Sequence, residues 1–405
     1  INHFFVKNRF DIKLAKSESI PYGRQDINED DIKAVVEILR SDFITQGSAV
    51  PTFENKLCDY TGAKYAIAVN SCTSALHIAC LALGLGSGDV LWTSPITFVA
   101  SANCALYCGA SVDFIDIEPD TALISVEKLK DKLILAESKG KLPKIVLPVH
   151  FSGQPCDMKE IHALSKQYGF KIIEDAAHAI GAKYYGGNIG NCHYSDITVF
   201  SFHPVKIITT GEGGMAMTND SYLADKMELL RSHGITRDVD KMYKNIGEPW
   251  YYEQIDLGFN YRMTDIQAAL GISQMDRLDQ FVRRRFEIVE WYNDKFQSIE
   301  AEPLFQKPHR SSAHHLYIIK VKDGWKKRQE LYNFLNNNNI GVNLHYIPIN
   351  QQPFFQTKTS CSTGFDVDNA NRYYSEVLTL PLYPGLELEQ MEHIVHKVCS
   401  FYHND

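Results

Sequence analysis

The sequence predicts an α/β protein in two parts: a large domain on a mostly parallel sheet, and a smaller C-terminal α+β domain. Short apolar segments alternate with segments of helical spacing from about residue 60 to residue 219, which is typical of βαβ units. These short segments are apolar throughout, as in strands of a sheet covered on both faces. The length of 405 residues also exceeds that of one ordinary domain.

The alternation can be followed element by element. Strands are predicted at residues 64–70, 88–94, 111–117, 144–153, 171–179, 197–202 and 213–219. Helices are predicted between them over residues 71–84, through "FVASANCALYCG" and over residues 157–169. Ser71 is the predicted N-cap of the first of these helices, because a serine side chain can accept a hydrogen bond from the first turn.

The character of the chain changes near residue 265. Residues 260–296 form one long helix-rich segment, in which a long helix is predicted to link the two domains, and a terminal helix is predicted near residues 386–402. The predicted large domain therefore covers residues 20–265 and the smaller domain residues 266–405. Residues 1–19 are interpreted as an N-terminal arm or an added, non-native extension.

Composition argues against several classes of protein. The net charge of −8 disfavours a general nucleic-acid binder. Nine cysteines without a C-x-x-C pair indicate neither a disulfide framework nor a zinc site, so we expect no metal and a reducing, cytoplasmic setting. The most apolar window, residues 74–86, is too short to cross a membrane, and no membrane partner is expected.

Lys206 is the most informative single residue. It lies between an apolar strand and a cluster of threonines and glycines in "VFSFHPVKIITTGEGGM". A lysine held in a dry cleft can lose its proton and form a Schiff base with an aldehyde. Taken alone, the residue is equally compatible with a surface loop.

Other candidates also lie near predicted strand ends. Asp175 could hold a protonated pyridine nitrogen, although alone it more often caps a helix. The segment "NSCTSAL" could hold a phosphate at a helix N-terminus, or be an ordinary cap. Phe98 could stack on a flat ring or fill the core, and His178 could lie near that ring or fill a turn. With Lys206, these groups meet the requirements of pyridoxal 5′-phosphate (PLP), and their order matches the aspartate-aminotransferase-like fold, type I.

Four motifs carry a resemblance to a known family: "NSCTSALHIA", "EDAAHAIGA", "VFSFHPVKIITTGEGGM" and "GFNYRMTDIQAALG". With them the chain resembles the DegT/DnrJ/EryC1/StrS nucleotide-sugar aminotransferases from residue 20 to beyond residue 349. "SFHPVKIITTGEGGMAMTND" and "RSHGITRD" look most similar to the pseudaminic acid branch. The resemblance implies a cytoplasmic enzyme that moves an amino group from L-glutamate to C4 of a UDP-4-keto-6-deoxy-N-acetylhexosamine.

The same resemblance implies roles for individual residues. Lys206 would carry the cofactor as a Schiff base and move the proton, and Asp175 would pair with the pyridinium nitrogen. Further implied cofactor contacts are Cys72, Thr73, Phe98, His178, Ser201 and Asn260, the last reaching the neighbouring site in a homodimer with shared active sites. Implied substrate contacts are Tyr22, Thr45, Gln46, Arg262, His315, Tyr317, His345 and Tyr346. Arg24, Arg231 and Arg237 are further candidates for the anionic nucleotide, although each is more often a surface ion pair.

Three alternatives differ in reaction or substrate. Sugar 3-dehydratases of the same family carry histidine at the lysine position, so Lys206 disfavours them. An aminotransferase could act at C3 or C4 of a dTDP-, GDP- or other UDP-linked sugar, and the residues leave this choice open. A non-catalytic PLP-binding regulator would usually lose part of the site or gain a DNA-binding module, and neither is visible in the sequence.

Overall fold

The computed structural model describes residues 19–244, 247–299, 301–357 and 367–403. The helices are α1 (Glu29–Leu39), α2 (Ala49–Thr61), α3 (Cys72–Ala82), α4 (Ala100–Tyr107), α5 (Val126–Ser138), α6 (Met158–Tyr168), α7 (Ser221–Arg231), α8 (Asp265–Met275), α9 (Leu278–Lys295), α10 (Gly324–Asn337), α11 (Pro353–Gln356), α12 (Asp368–Glu376) and α13 (Leu388–His403). Within these residues no helix combines the length and apolar character needed to cross a bilayer. The predicted N-terminal arm lies outside the described residues except for Ser19.

The strands of the same residues complete the list of elements. They are β1 (Tyr65–Val69), β2 (Val90–Thr93), β3 (Ser111–Phe114), β4 (Ile145–Leu147), β5 (Lys171–Asp175), β6 (Lys183–Tyr184), β7 (Gly187–Asn188), β8 (Ile197–Ser201), β9 (Gly214–Thr218), β10 (Ile235–Thr236), β11 (Glu253–Gln254), β12 (Ala301–Pro303), β13 (Arg310–Ser311), β14 (Tyr317–Val321) and β15 (Val377–Leu380). Each strand predicted for the large domain overlaps one of them.

A seven-stranded sheet with the order β1-β9-β8-β5-β4-β2-β3 forms the centre of the large part. Neighbouring strands from β8 to β3 are parallel, whereas β9 is antiparallel to both β1 and β8. The prediction of a mostly parallel sheet is therefore confirmed. Ala66 and Ala68 enter one buried cluster while Ile67 and Val69 enter another, because successive side chains of a strand point to opposite faces.

A smaller antiparallel sheet, β12-β14-β15, lies in the C-terminal part. Its apolar core includes residues of α9, α10 and α13, and also Ile20. Ile20 pairs with Ile340 through the backbone. The first described residues therefore pack on the C-terminal part, although the predicted large domain begins at residue 20. The domain boundaries as such stay a prediction.

The prediction of one long linking helix is wrong. Helix α8 ends at Met275 and α9 begins at Leu278, with Asp276 and Arg277 between them. Helix α8 packs on α1 and α2 of the large part. Ile288 and Tyr292 of α9 instead enter the core of the smaller sheet. Because the helix is interrupted, α8 can pack on the large part while α9 packs in the core of the smaller sheet.

Asp31 ties the start of α1 to this break. Its side chain is 1% exposed and closes a capping box with Asn28. Its carboxylate also accepts hydrogen bonds from Ser273 Oγ at 2.6 Å, Gln274 Nε2 at 2.7 Å and Arg277 at 2.5 Å. One buried charge thus fixes the position of the α8–α9 junction against α1.

We expect Asp31→Ala to lower the free energy of unfolding by about 3 kcal/mol, because Arg277 loses a buried partner and several donors are left unpaired. Asp30→Ala removes an exposed carboxylate from the same helical turn and should cost less than about 1 kcal/mol. Urea unfolding followed by circular dichroism compares the two variants. Equal stabilities would contradict the role given to Asp31.

Candidate active site

One pocket of about 500 Å³ gathers most of the predicted site residues. It lies beyond the carboxyl ends of β5 and β8, at Asp175 and Ser201, which is where open α/β sheets usually bind ligands. The predicted residues that line it are Tyr22, Cys72, Thr73, Phe98, Asp175, His178, Ser201, Lys206, His315, His345 and Tyr346.

The N-terminus of α3 forms one end of the pocket. Ser71 has the extended backbone of an N-cap and its Oγ accepts the Ser74 N–H at 3.1 Å, which confirms the predicted cap. The N–H groups of Cys72 and Thr73, the first two helical residues, have no partner within the helix. Strand β9 can lie against this turn only because residue 214 is glycine: a Cβ there would come within 2.6 Å of the Cys72 nitrogen. Such a turn can hold a phosphate.

Asp175 lies at the end of β5 with 4% of its surface exposed. One carboxylate oxygen accepts from Ser101 Oγ at 2.6 Å and the other from the Ala177 N–H at 3.1 Å. The residues that follow form a turn, not a helix, so Asp175 is not a helix cap. A buried carboxylate with neutral donors can accept a cation from a ligand.

Ser101 is a residue of this site that the sequence analysis missed. Its hydroxyl bonds to Thr97 Oγ1 at 2.7 Å as well as to Asp175, and both hydroxyl residues line the pocket. Helical spacing could not have indicated this pair, because Thr97 lies in a bend before α4 begins at Ala100.

Lys206 lies in a closed turn between β8 and β9, and the threonines hold that turn. Thr209 Oγ1 and the Thr210 N–H both donate to the Phe202 carbonyl, at 2.9 and 3.0 Å. The Lys206 N–H donates to the His203 carbonyl at 2.9 Å. The threonine cluster of the sequence therefore shapes the lysine loop.

The Lys206 amine has no ion pair or hydrogen bond with the described residues. Burial lowers its pKa to about 8, and the negative charges that Cys72 and Asp175 can carry oppose this shift. Because the amine is partly neutral near neutral pH, it can act as a nucleophile or a base.

Three neutral histidines form the opposite wall. The rings of His178 and His315 lie 4.3 Å apart, and His345 Nδ1 bonds to Thr379 Oγ1 at 2.8 Å. Burial lowers the pKa of each of the three imidazoles, that of His345 to about 3, and the nearby Lys206 charge acts in the same direction. His315 Nδ1 is buried without a hydrogen-bond partner among the described residues. This wall therefore keeps one ring nitrogen that a ligand can hydrogen-bond.

Four predicted residues near the start of α8 do not line the pocket of a single chain: Thr45, Gln46, Asn260 and Arg262. Thr45, Gln46 and Asn260 are exposed and Arg262 is half-buried. They surround the start of α8, where backbone bridges join Thr45 to Thr264 and Arg262 to Val69. Within one chain they form a neighbouring surface, not a pocket wall.

Tyr317 and Arg231 require corrections. Tyr317 is 3% exposed and packs in the core of the smaller sheet, with its hydroxyl 3.0 Å from Asn293 Oδ1, so its predicted place at the substrate is wrong. Arg231 is not a free cation at the rim, because it pairs with Glu54 in a mostly buried contact. Arg24 and Arg237 are exposed and do not line the pocket, so their contact with the nucleotide stays a prediction.

Comparison with known proteins adds an independent line of support. Residues 25–399 match the model of the DegT/DnrJ/EryC1/StrS aminotransferase family. The spore coat polysaccharide biosynthesis protein SpsC of Bacillus subtilis is 38% identical over 388 residues, 95% of this chain and 97% of that protein. The UDP-4-amino-4,6-dideoxy-N-acetyl-beta-L-altrosamine transaminase of Campylobacter jejuni is 37% identical over 383 residues, 94% of this chain and 97% of that protein.

Two solved structures share the fold. Helicobacter pylori PseC, described as an aminotransferase of pseudoaminic acid biosynthesis, has a TM-score of 0.87 at 30% identity and covers 96% of this chain and 100% of its own. The Streptococcus pneumoniae protein Spr1654, solved in its PLP form, has a TM-score of 0.84 at 28% identity and covers 95% of this chain and 99% of its own. These matches confirm the predicted type I fold and PLP as the cofactor, and the helix turn, the buried Asp175 and the unpaired amine of Lys206 fit that cofactor.

The lowered pKa of Lys206 predicts an unusual pH profile in the cofactor-free protein. With a pKa of about 8, the neutral fraction of the amine rises about tenfold between pH 7 and pH 9 and then levels off. Acetylation of Lys206 by acetic anhydride, quantified by mass spectrometry, should follow this curve. The exposed Lys33, with 75% of its side chain accessible, corrects for loss of reagent. A further rise of Lys206 reactivity by about sevenfold between pH 9 and pH 10, as for an amine of ordinary pKa, would exclude the shift.

Proposed function

Because the chain belongs to the DegT/DnrJ/EryC1/StrS aminotransferase family, we propose that it transfers an amino group from L-glutamate to C4 of a UDP-4-keto-6-deoxy-N-acetylhexosamine, a step of pseudaminic acid biosynthesis. The observation that carries the enzymatic part is the unpaired, half-buried Lys206 amine in one pocket with the buried Asp175 carboxylate. The choice of sugar draws support from the names of the Campylobacter and Helicobacter relatives.

PLP, when bound, supplies an electron-poor ring that stabilises negative charge on the reacting carbon. Asp175 would hold the ring nitrogen protonated, because the Ser101 hydroxyl and the Ala177 N–H keep its carboxylate in place. Lys206 would hold the cofactor through its amine and release it to the incoming substrate amine, and the freed neutral amine would then carry the proton to and from the reacting carbon. The Asp175 carboxylate and the Lys206 amine thus have separate roles, one at the ring nitrogen and one at the reacting carbon.

The other cofactor contacts follow the layout of the pocket. The Cys72 and Thr73 N–H groups bind the phosphate together with the Ser201 hydroxyl, which lines the same pocket. Burial raises the pKa of Cys72 well above its usual value, so the thiol stays neutral beside the phosphate. Phe98, which is 59% exposed at the pocket mouth, stacks on the ring.

The active unit is a homodimer in which each chain completes the other's site. Asn260 is exposed and Arg262 half-exposed outside the pocket of their own chain, and both are free to reach a second copy. A two-fold dimer gives each protomer the same contact in both directions. In the cofactor pocket of the partner, Asn260 binds the phosphate and Arg262 the anionic substrate.

A cytoplasmic setting agrees with the state of the cysteines. Those of the described residues are free thiols, and thiols persist in a reducing compartment. L-glutamate and nucleotide sugars are charged small molecules, which an acidic chain can bind at a local cationic site.

The test is product analysis by NMR after reaction with PLP, ¹⁵N-labelled L-glutamate and the keto sugar. We expect labelled nitrogen at C4, and no product from Lys206→Ala, which should still bind PLP without a covalent bond through the phosphate contacts. Nitrogen at C3, or turnover of dTDP- or GDP-linked sugars alone, would exclude the proposed substrate. Absence of amino transfer with a panel of keto-sugar nucleotides would exclude the function.

The shared site can be tested by mixing two inactive variants. Lys206→Ala lacks the amine of its own pocket, and Asn260→Ala lacks the group it gives to its neighbour. After subunit exchange, one of the two sites in a mixed dimer has both residues, so activity should return to a measurable fraction of wild type. No recovery, once exchange has been verified by native mass spectrometry, would argue against a contribution from the partner.

A further inference from the structure

The turn of residues 151–153 holds one backbone N–H against His178. Ser152 adopts the left-handed conformation with φ of 59°, its carbonyl accepts the His315 N–H at 2.9 Å and its hydroxyl donates to the Leu316 carbonyl at 2.7 Å. A Cβ on Gly153 would lie 3.0 Å from the His178 carbonyl oxygen. The turn is therefore fixed on both sides, and the Ser152 N–H lies 3.3 Å from His178 Nδ1.

This contact decides where His178 carries its proton. A backbone N–H can only donate, so Nδ1 must accept and the proton of the neutral ring lies on Nε2. Nε2 lies 3.3 Å from the Tyr346 hydroxyl oxygen, and therefore donates to it. Burial lowers the pKa of His178, and the Lys206 charge adds to the effect, so the ring stays neutral.

The direction of this bond fixes the role of Tyr346. Its oxygen is occupied as an acceptor by His178, which is its only hydrogen-bond partner within the described residues. Burial raises the pKa of Tyr346, so its proton is retained and remains to be donated. The residue lines the pocket, and its ring lies 6.3 Å from that of Phe98 and 6.1 Å from that of Phe151, which restricts its motion.

We propose that Ser152, His178 and Tyr346 form a one-directional hydrogen-bond chain that makes the Tyr346 hydroxyl a fixed donor into the pocket, where it binds an acceptor oxygen of the ligand. Two oxygens share this chemistry: the phenolic oxygen of the cofactor and the carbonyl oxygen of the keto substrate. Tyr346 is the group that contacts the ligand, and His178 is a positioning residue. The assignment rests on the proposed function.

The hydrogen-bond chain makes the pocket favour ligands with an acceptor oxygen, a preference that the shape of the pocket alone does not provide. A ligand that presents an oxygen at this point completes the chain, whereas one that presents an N–H or a methylene group leaves the Tyr346 proton unpaired in a buried place. Leaving a buried donor unpaired is costly, and sites that bind a polar group in this way reject analogues lacking it.

Four variants separate this arrangement from a structural role. Tyr346→Phe keeps the ring and removes the donor. His178→Gln keeps the direction of the chain, because the amide oxygen can accept from Ser152 and the amide nitrogen can donate to Tyr346, whereas His178→Leu keeps neither. Tyr222→Phe, which changes an exposed tyrosine of α7 that does not line the pocket, is the matched control.

For each full-length variant, the dissociation constant of PLP is measured by absorbance titration, and KM and kcat are measured for the keto sugar. Tyr346→Phe should weaken the binding of one of the two ligands about tenfold or more. A rise in the PLP dissociation constant assigns the donor to the cofactor oxygen, and a rise in KM at unchanged PLP affinity assigns it to the substrate. His178→Leu should show the same loss, and His178→Gln should recover most of it.

Several results would overturn the proposal. One is that Tyr346→Phe leaves both the PLP dissociation constant and the KM of the keto sugar within twofold of wild type. Another is that His178→Gln raises these constants as much as His178→Leu does. A third measurement needs no variant: ¹⁵N NMR of the histidine-labelled wild-type protein should show the Nε2–H form of His178, and the Nδ1–H form would overturn the chain. If wild-type protein neither binds PLP nor transfers an amino group, the proposed function fails, whereas the NMR result still decides the direction of the chain.

Discussion

The site depends on keeping a lysine amine and a carboxylate in one pocket without an ion pair between them. Neutral donors hold both oxygens of Asp175, the Ser101 hydroxyl on one side and the Ala177 N–H on the other. Lys206 has no such partner among the described residues, and burial lowers its pKa. A direct pair would stabilise the ammonium form and occupy the carboxylate. The separation leaves an amine that can react and an acid group that can meet a cation of the ligand.

This separation is a consequence of topology. Asp175 and Ser201 are the last residues of the neighbouring parallel strands β5 and β8, so both arrive at one edge of the sheet. The antiparallel strand β9 returns beside β8, and residues 202–213 between them carry Lys206. Gly214 then admits the N-terminus of α3 at van der Waals distance. Asp175 thus comes from the end of β5, whereas Ser201 and Lys206 both come from the end of β8 and the connection that follows it.

The C-terminal part completes the pocket with its histidine wall. Arg285 of α9 is 1% exposed and donates to the carbonyls of His314, His315 and Leu382 at 3.4, 3.3 and 2.9 Å. Burial lowers the pKa of this guanidinium to about 9. Its contacts join the strip before β14 to Leu382, and the His315 N–H joins that strip to the Ser152 carbonyl. These contacts fix the position of His315 beside His178, where the C-terminal part meets the large part.

The sequence by itself determined the parallel sheet and the cofactor end of the pocket. Apolar periodicity specifies strands locally, and the lysine, aspartate and capped helix lie in short motifs whose neighbours in sequence are also neighbours in space. The resemblance to a family then supplied residues that periodicity does not mark, such as His315 and Tyr346.

Only the tertiary structure decided the rest. The junction between α8 and α9 is held by Asp31, more than two hundred residues away. Tyr317 packs against Tyr292 and Phe296 in the core of the smaller sheet. The direction of the bond between His178 and Tyr346 depends on one amide of a distant turn. These features arise from contacts between remote segments, and the identity of one residue cannot specify which remote group will face it after folding.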